Sequence, residues 1–118
     1  MKILIVDDSK VARMAIRKEL EGGGYEVIEA ASGVEALEMA QGGGPQLVLL
    51  DMNMPEMDGI AVYEKLLQTT GRNDIPAIFL SSADCLAERR ADIDRVGAGS
   101  LAKGSPAGEL LKMVQGRL

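Results

Sequence analysis

An α/β fold with a doubly wound parallel sheet is what this sequence predicts, and three observations predict it. Short continuous apolar runs, Ile3-Leu4-Ile5-Val6 and Leu47-Val48-Leu49-Leu50, suit strands covered on both faces. Strand and helix signatures alternate five times with short connections. Acidic residues end two of the runs, Asp7 and Asp8 the first and Asp51 the second. In an open parallel sheet, functional groups gather at the carboxyl ends of the strands.

Residues 2–7 form the first predicted strand. Ser9 is placed to cap a helix from Lys10 to about Leu20, with Ala12, Ile16, Leu20, Val11 and Ala15 on its apolar side. Gly22-Gly23-Gly24 ends that helix. Tyr25 to Ala30 reads as strand two. Ser32 and Glu35 stand at capping-box spacing before a helix to about Ala40. Gly42-Gly43-Gly44-Pro45 breaks the chain before strand three, Gln46 to Asp51. After a loop from Met52 to Asp58, a third helix runs from Gly59 to about Thr69. Pro76 opens a fourth strand, Ala77 to Ser81. Asp84 is the expected cap of one helix reaching Val96, whose apolar stripe is sparse. Ser100-Leu101-Ala102 is a short fifth strand. Ser105-Pro106 is the expected cap and first-turn proline of a fifth helix carrying Leu110, Leu111 and Val114.

At 118 residues the chain fits one domain, 1–118, with no internal linker. A net charge of −5 argues against direct nucleic-acid binding. No apolar stretch approaches the roughly 18 residues of a membrane span, and no signal-peptide pattern is present, so a cytoplasmic location is expected. The absence of histidine excludes His-based triads and His metal ligands, and the single Cys85 excludes an intrachain disulfide. The glycines match neither a dinucleotide fingerprint nor a Walker A loop.

If the two acid-ended runs are neighbours, Asp7, Asp8 and Asp51 meet in one shallow pocket. Like charges that close resist joint ionisation unless a cation sits among them. A few carboxylates are what Mg²⁺ selects, and it keeps waters that a phosphate can displace. A blander reading makes Asp7 and Asp8 helix caps, Asp51 a turn residue and Lys103 a solvated surface lysine. Met52, Met54 and Met57 read as loop packing, Cys85 as a partly buried spacer, Pro55 as a loop stiffener and Gly59 as a residue permitting tight turning.

Val6-Asp7-Asp8-Ser9 resembles the acidic pair of response-regulator receiver domains in two-component signalling, of the chemotaxis-regulator type. Asp51-Met52-Asn53-Met54-Pro55-Glu56-Met57-Asp58-Gly59 resembles that family's phosphoacceptor segment, D-x-x-M-P-x-M-D-G. Ser81 and Lys103 stand where the family ends strands four and five with a hydroxyl residue and a lysine. The resemblance covers essentially the whole chain.

It implies a flavodoxin-like five-stranded sheet of order 2-1-3-4-5 with five helices. It also implies a phosphorylation-dependent switch with Asp51 as phosphoacceptor. Asp8, Asp51 and the main-chain carbonyl of Asn53 would hold Mg²⁺, for which Mn²⁺ could substitute. Asp7 would act through water, and Lys103 and Ser81 would meet the phosphoryl oxygens. The chain would turn over no separate substrate and would catalyse its own phosphorylation and dephosphorylation. Implied partners are a sensor histidine kinase or phosphotransfer protein, and an output partner or domain reached through the fourth helix, fifth strand and fifth helix. No output sequence follows Leu118, which fits either a stand-alone receiver or the first domain of a longer regulator.

Two other classes fit less well. A flavodoxin-type redox protein needs a phosphate-cradling loop after strand one, which here is acidic. A phosphatase of the D-x-D type needs a second Asp where Asn53 stands. Departures from the family fall late in the chain. Gly104 replaces the proline after the lysine, Ser100 replaces an aromatic used in a common switch, and Gly97-Ala98-Gly99 lacks an acidic pair.

Overall fold

Five strands pair in parallel in the order β2-β1-β3-β4-β5 in the computed structural model, which describes residues 2–42, 44–54, 57–106 and 108–118. They are β1 (Lys2–Val6), β2 (Glu26–Ala30), β3 (Leu47–Asp51), β4 (Ala77–Ser81) and β5 (Gly99–Ala102). Six α-helices are described, α1 (Lys10–Gly22), α2 (Gly33–Met39), α3 (Gly59–Thr70), α4 (Ala83–Glu88), α5 (Arg90–Arg95) and α6 (Glu109–Arg117), with a 3₁₀ turn at Ala40–Gly42. The expected roles of Pro55 and Gly43 fall outside the described residues.

The period-2 alternation of strands divides the core between the two sheet faces. Leu4, Val6, Val48, Leu50 and Phe79 pack with Val62, Tyr63 and Leu66 of α3, and with Leu86 and Ile93 of α4 and α5. Ile3, Ile5, Leu47, Leu49, Ile78 and Leu80 pack on the other face with Leu20 of α1 and with Leu110 and Val114 of α6. Phe79 meets Tyr63 edge to face with ring centroids 6.3 Å apart, and the Tyr63 hydroxyl donates to the carbonyl of Ile75.

Several caps are those the sequence predicts. Ser9 accepts from the Ala12 amide, and Ser32 accepts from that of Glu35, the forward half of a capping box. The apolar side of α1 differs from expectation, since Val11 is 78% exposed. At 3.6 residues per turn Val11 lies about 140° around the helix from Ile16, too far to share its stripe.

The helix expected from Asp84 to Val96 is two segments. Ser82, not Asp84, caps the first by accepting from the Cys85 amide. Arg89 leaves helical geometry at φ −102°, ψ 14°, although its N–H still donates to the Cys85 carbonyl. Leu86 and Ile93 are the buried anchors of these two short helices, so local propensity holds little authority. Contacts of the Arg89 side chain act on the junction. Its guanidinium bonds Asp92 at 3.0 Å and lies 3.6 Å from Asp58, which caps α3.

The last helix also starts later than expected. The Ser105 hydroxyl donates to the Ala102 carbonyl at 2.6 Å, which removes it as a cap. Helix α6 instead begins after Gly108, which offers no side chain to the first-turn amides. Glu19 of α1 supplies the missing acceptor, taking the Leu111 N–H at 3.0 Å from 92 residues away.

Candidate functional site

Sheet register assembles the site as a staircase. Val6 pairs with Leu50, so Asp7 emerges beside Asp51. Asp51 pairs with Leu80, so Ser81 follows it on the next strand. Ser81 pairs with Ala102, which brings Lys103 to the same end, and the Lys103 N–H donates to the Ser81 carbonyl at 2.8 Å. The register holds because a slip of one residue would exchange the side chains between the two faces, each packed against a different set of helices.

One carboxylate oxygen from each of Asp7, Asp8 and Asp51 lies within 4.8 Å of the others. Asp7 and Asp51 are buried, whereas Asp8 faces solvent. The Ser9 amide donates to Asp7 Oδ1 at 2.9 Å, and the Asn53 amide donates to Asp51 Oδ1 at 3.3 Å. Lys103 Nζ stands 2.9 Å from Asp7 Oδ2 and 3.4 Å from Asp51 Oδ2. The approach to Asp7 is poorly aligned for a hydrogen bond, so Oδ2 is buried with charge attraction but no directed donor.

Burial pushes the Asp51 carboxyl up, against the opposing Lys103 charge and with help from the Asp7 charge, and the net shift is upward. Burial would lower the Lys103 ammonium, but its contacts with Asp7 and Asp51 outweigh that and hold it above the ordinary lysine range. An oxygen-only donor set of three carboxylates, two of them buried, fits a hard cation such as Mg²⁺. The fit is chemical: two buried anions have one shared ammonium between them, and the third acid is open to water.

The remaining residues singled out in the sequence take separate positions. Ser81 is buried at the end of β4. The Asn53 side chain turns to α4, where its Nδ2 donates to Cys85 Sγ at 3.4 Å. Lys103 reaches the carboxylates with Gly104 after it, and Gly104 takes the left-handed conformation at φ 85°. Ser100 accepts from Arg90 at 3.2 Å. Met52 is fully buried, and Met54 and Met57 pack partly buried against the core.

Gly59 is close-packed instead of sharply turned. A Cβ there would lie 2.5 Å from the Asp51 carbonyl oxygen and 3.1 Å from Phe79. Arg13 was not singled out from sequence, yet its NH1 donates to the Asp7 main-chain carbonyl at 2.6 Å.

The family model for the response regulator receiver domain matches residues 3–115. Response regulator MprA of Mycobacterium avium is 37% identical over all 118 residues, and its Mycobacterium leprae counterpart is 38% identical. The chain spans about half, 51%, of the length of each. Among solved structures, chemotaxis protein CheY4 of Vibrio cholerae superposes with a TM-score of 0.90 at 34% identity, over 99% of this chain and 98% of that one. Response regulator protein TrrA of Thermotoga maritima, in complex with Mg²⁺-BeF, gives a TM-score of 0.85 at 28% identity, over 99% of this chain and 98% of that one.

Proposed function

The chain belongs to the response regulator receiver domain family, and from that premise we propose that Asp51 accepts a phosphoryl group from the phosphohistidine of a histidine kinase or phosphotransfer protein. A carboxylate oxygen of Asp51 forms the new P–O bond as the P–N bond of the donor breaks, and the imidazole nitrogen leaves. The observation that carries this reading is the Asp7, Asp8 and Asp51 cluster, with Lys103 3.4 Å from Asp51.

Asp8, Asp51 and the Asn53 carbonyl would hold the cation, with Asp7 acting through water and fixing the site. Bound Mg²⁺ supplies charge neutralisation for an anion attacking an anion. The Thermotoga neighbour, solved with Mg²⁺-BeF, supports the same cation here. Lys103 offers a second positive charge to the phosphoryl oxygens, and the Ser81 hydroxyl a neutral donor. The chain acts as a switch on itself, without a separate turnover substrate. Since it spans about half of its curated relatives, an output partner or output domain is part of the proposal.

A small acyl-phosphate donor, borohydride trapping and peptide mass spectrometry test this. The expected result is a label on Asp51 that needs Mg²⁺ and is largely lost in Asp8→Asn. A label on another residue, or one indifferent to Mg²⁺, would sink the assignment.

The output route follows from charge. Phosphoryl charge on Asp51 draws Ser81 and Lys103 inward and shifts residues 82–104. With Ser100 in the aromatic's place, backbone movement carries the signal, and the junction at Arg89 is the natural place to flex. The output surface is then α4, α5, β5 and α6. Hydrogen exchange with a stable phosphoryl mimic and Mg²⁺ is expected to change over residues 82–104, less so in Ser81→Ala. Changes confined to residues 51–59 with the mimic bound would rule out this route.

A further inference from the structure

We propose that Arg13 is a positioning residue for the acidic pocket, fixing the direction of Asp8 through the main-chain carbonyl of Asp7. The proposal rests on the Mg²⁺ reading above and extends it to a residue outside the acidic cluster.

Asp8 has the least support of the three acids. It is exposed, and among the described residues no hydrogen bond holds its carboxylate. Its direction is therefore inherited from the peptide that precedes it. That peptide lies between the end of β1 and the start of α1, where regular pairing stops. The Asp7 N–H still donates to the Ala30 carbonyl of β2 at 3.1 Å. The Asp7 carbonyl has no helical partner, because the first α1 bond runs from the Arg13 amide to the Ser9 carbonyl. The Arg13 side chain fills this gap with NH1 2.6 Å from the Asp7 oxygen.

Arg13 is itself held. Its side chain is 13% exposed, and its Nε donates to Glu29 of β2 at 3.0 Å. Glu29 also accepts from Arg17, and the two guanidiniums hold its carboxyl below the ordinary range, with Arg17 the larger influence. A planar guanidinium with two fixed acceptors is a rigid brace, which a flexible ammonium reproduces only in part. Both ends of the Asp7 residue are thus tied, its N–H to β2 and its carbonyl to α1. The next side chain, that of Asp8, leaves at an angle set by those two bonds. Partners behind a ligand commonly matter by roughly 10–100-fold in metal affinity.

The test is Mg²⁺ binding to the intact chain without any phosphoryl donor, followed by calorimetry and by amide shifts at residues 7–8 and 51–53. Arg13→Met is expected to raise the half-saturating Mg²⁺ concentration about tenfold, and Arg13→Lys by less than about threefold. In acyl-phosphate labelling, the same Mg²⁺ concentration should rise while the maximal rate falls less than about threefold, a split that general loosening of the fold does not produce. Arg13→Met binding Mg²⁺ within about twofold of the parent overturns the proposal. If Arg13→Met does not fold, Glu29→Met takes its place, since it removes the acceptor that holds Arg13 at its β2 end, and unchanged affinity there overturns the proposal equally. A parent chain that shows no Mg²⁺ shifts removes the proposed function together with this extension. A parent that binds and an Arg13→Met that matches it removes the extension alone.

Discussion

Asp51→Asn is expected to take no phosphoryl label and, in Mg²⁺-free buffer at neutral pH, to melt at a higher temperature than the parent. The first effect is loss of the nucleophile, because an amide oxygen does not form the acyl phosphate. The second follows from linkage. The folded state holds the Asp51 carboxyl above its unfolded value, chiefly through burial. Folded protein therefore binds more protons than unfolded protein between the two values, and stability falls as pH rises through that window. Below the ordinary carboxylate range both states are protonated, and the two proteins should melt alike. Above the raised value the parent carries the full cost of a buried anion and Asn carries none of it. Added Mg²⁺ should narrow the gap by stabilising only the parent. Melting curves across pH check this, and a lower melting temperature for Asp51→Asn throughout would mean that the Lys103 attraction dominates.

Gly59→Ala is expected to destabilise the fold by about 1–3 kcal/mol and to slow labelling at Asp51. Its new Cβ would stand 2.5 Å from the Asp51 carbonyl oxygen and 3.2 Å from Met52 Cα. Neither atom can rotate away, because both belong to the backbone that presents the phosphoacceptor. Gly23→Ala is the matched control, since its Cβ also meets an atom at 2.5 Å, but that atom is a terminal methyl of Leu111. A side-chain tip can change rotamer, so Gly23→Ala should cost well under the Gly59 value. Urea denaturation of both, with labelling rates for Gly59→Ala, reads the difference. Equal stability losses would show that distance alone, whatever the atom, sets the cost.

These two positions also show what the sequence revealed and what it concealed. Asp51 was legible because an acid ending an apolar run stands out against the run itself. Gly59 was legible as a glycine but not for its reason, since close approach of a helix start to the carbonyl ending β3 has no local signature. Strand β4 lies where Pro76 and the turn after Ser81 place it. Strand order came from resemblance, because pairing between runs of equal apolarity is decided by tertiary packing. The junction at Arg89 was hidden for a related reason: its guanidinium faces Asp58, a residue from another element. Val11 is exposed because helical geometry sets it about 140° from Ile16. Arg13 escaped because its partner is a main-chain carbonyl, which every residue possesses and no sequence pattern advertises.

The Glu19 acceptor at the start of α6 has a consequence for the order in which the chain folds. The first turn of a helix is its costly nucleus. In α6 that turn depends on a side chain 92 residues earlier, on a helix seated against the sheet beside it. Closing so long a loop carries an entropic penalty that is repaid only when both ends are in place. Helix α6 is therefore expected to consolidate late, on a platform that β1 and α1 have already built. Pulsed hydrogen exchange is expected to protect the Leu111 amide only once α1 has docked.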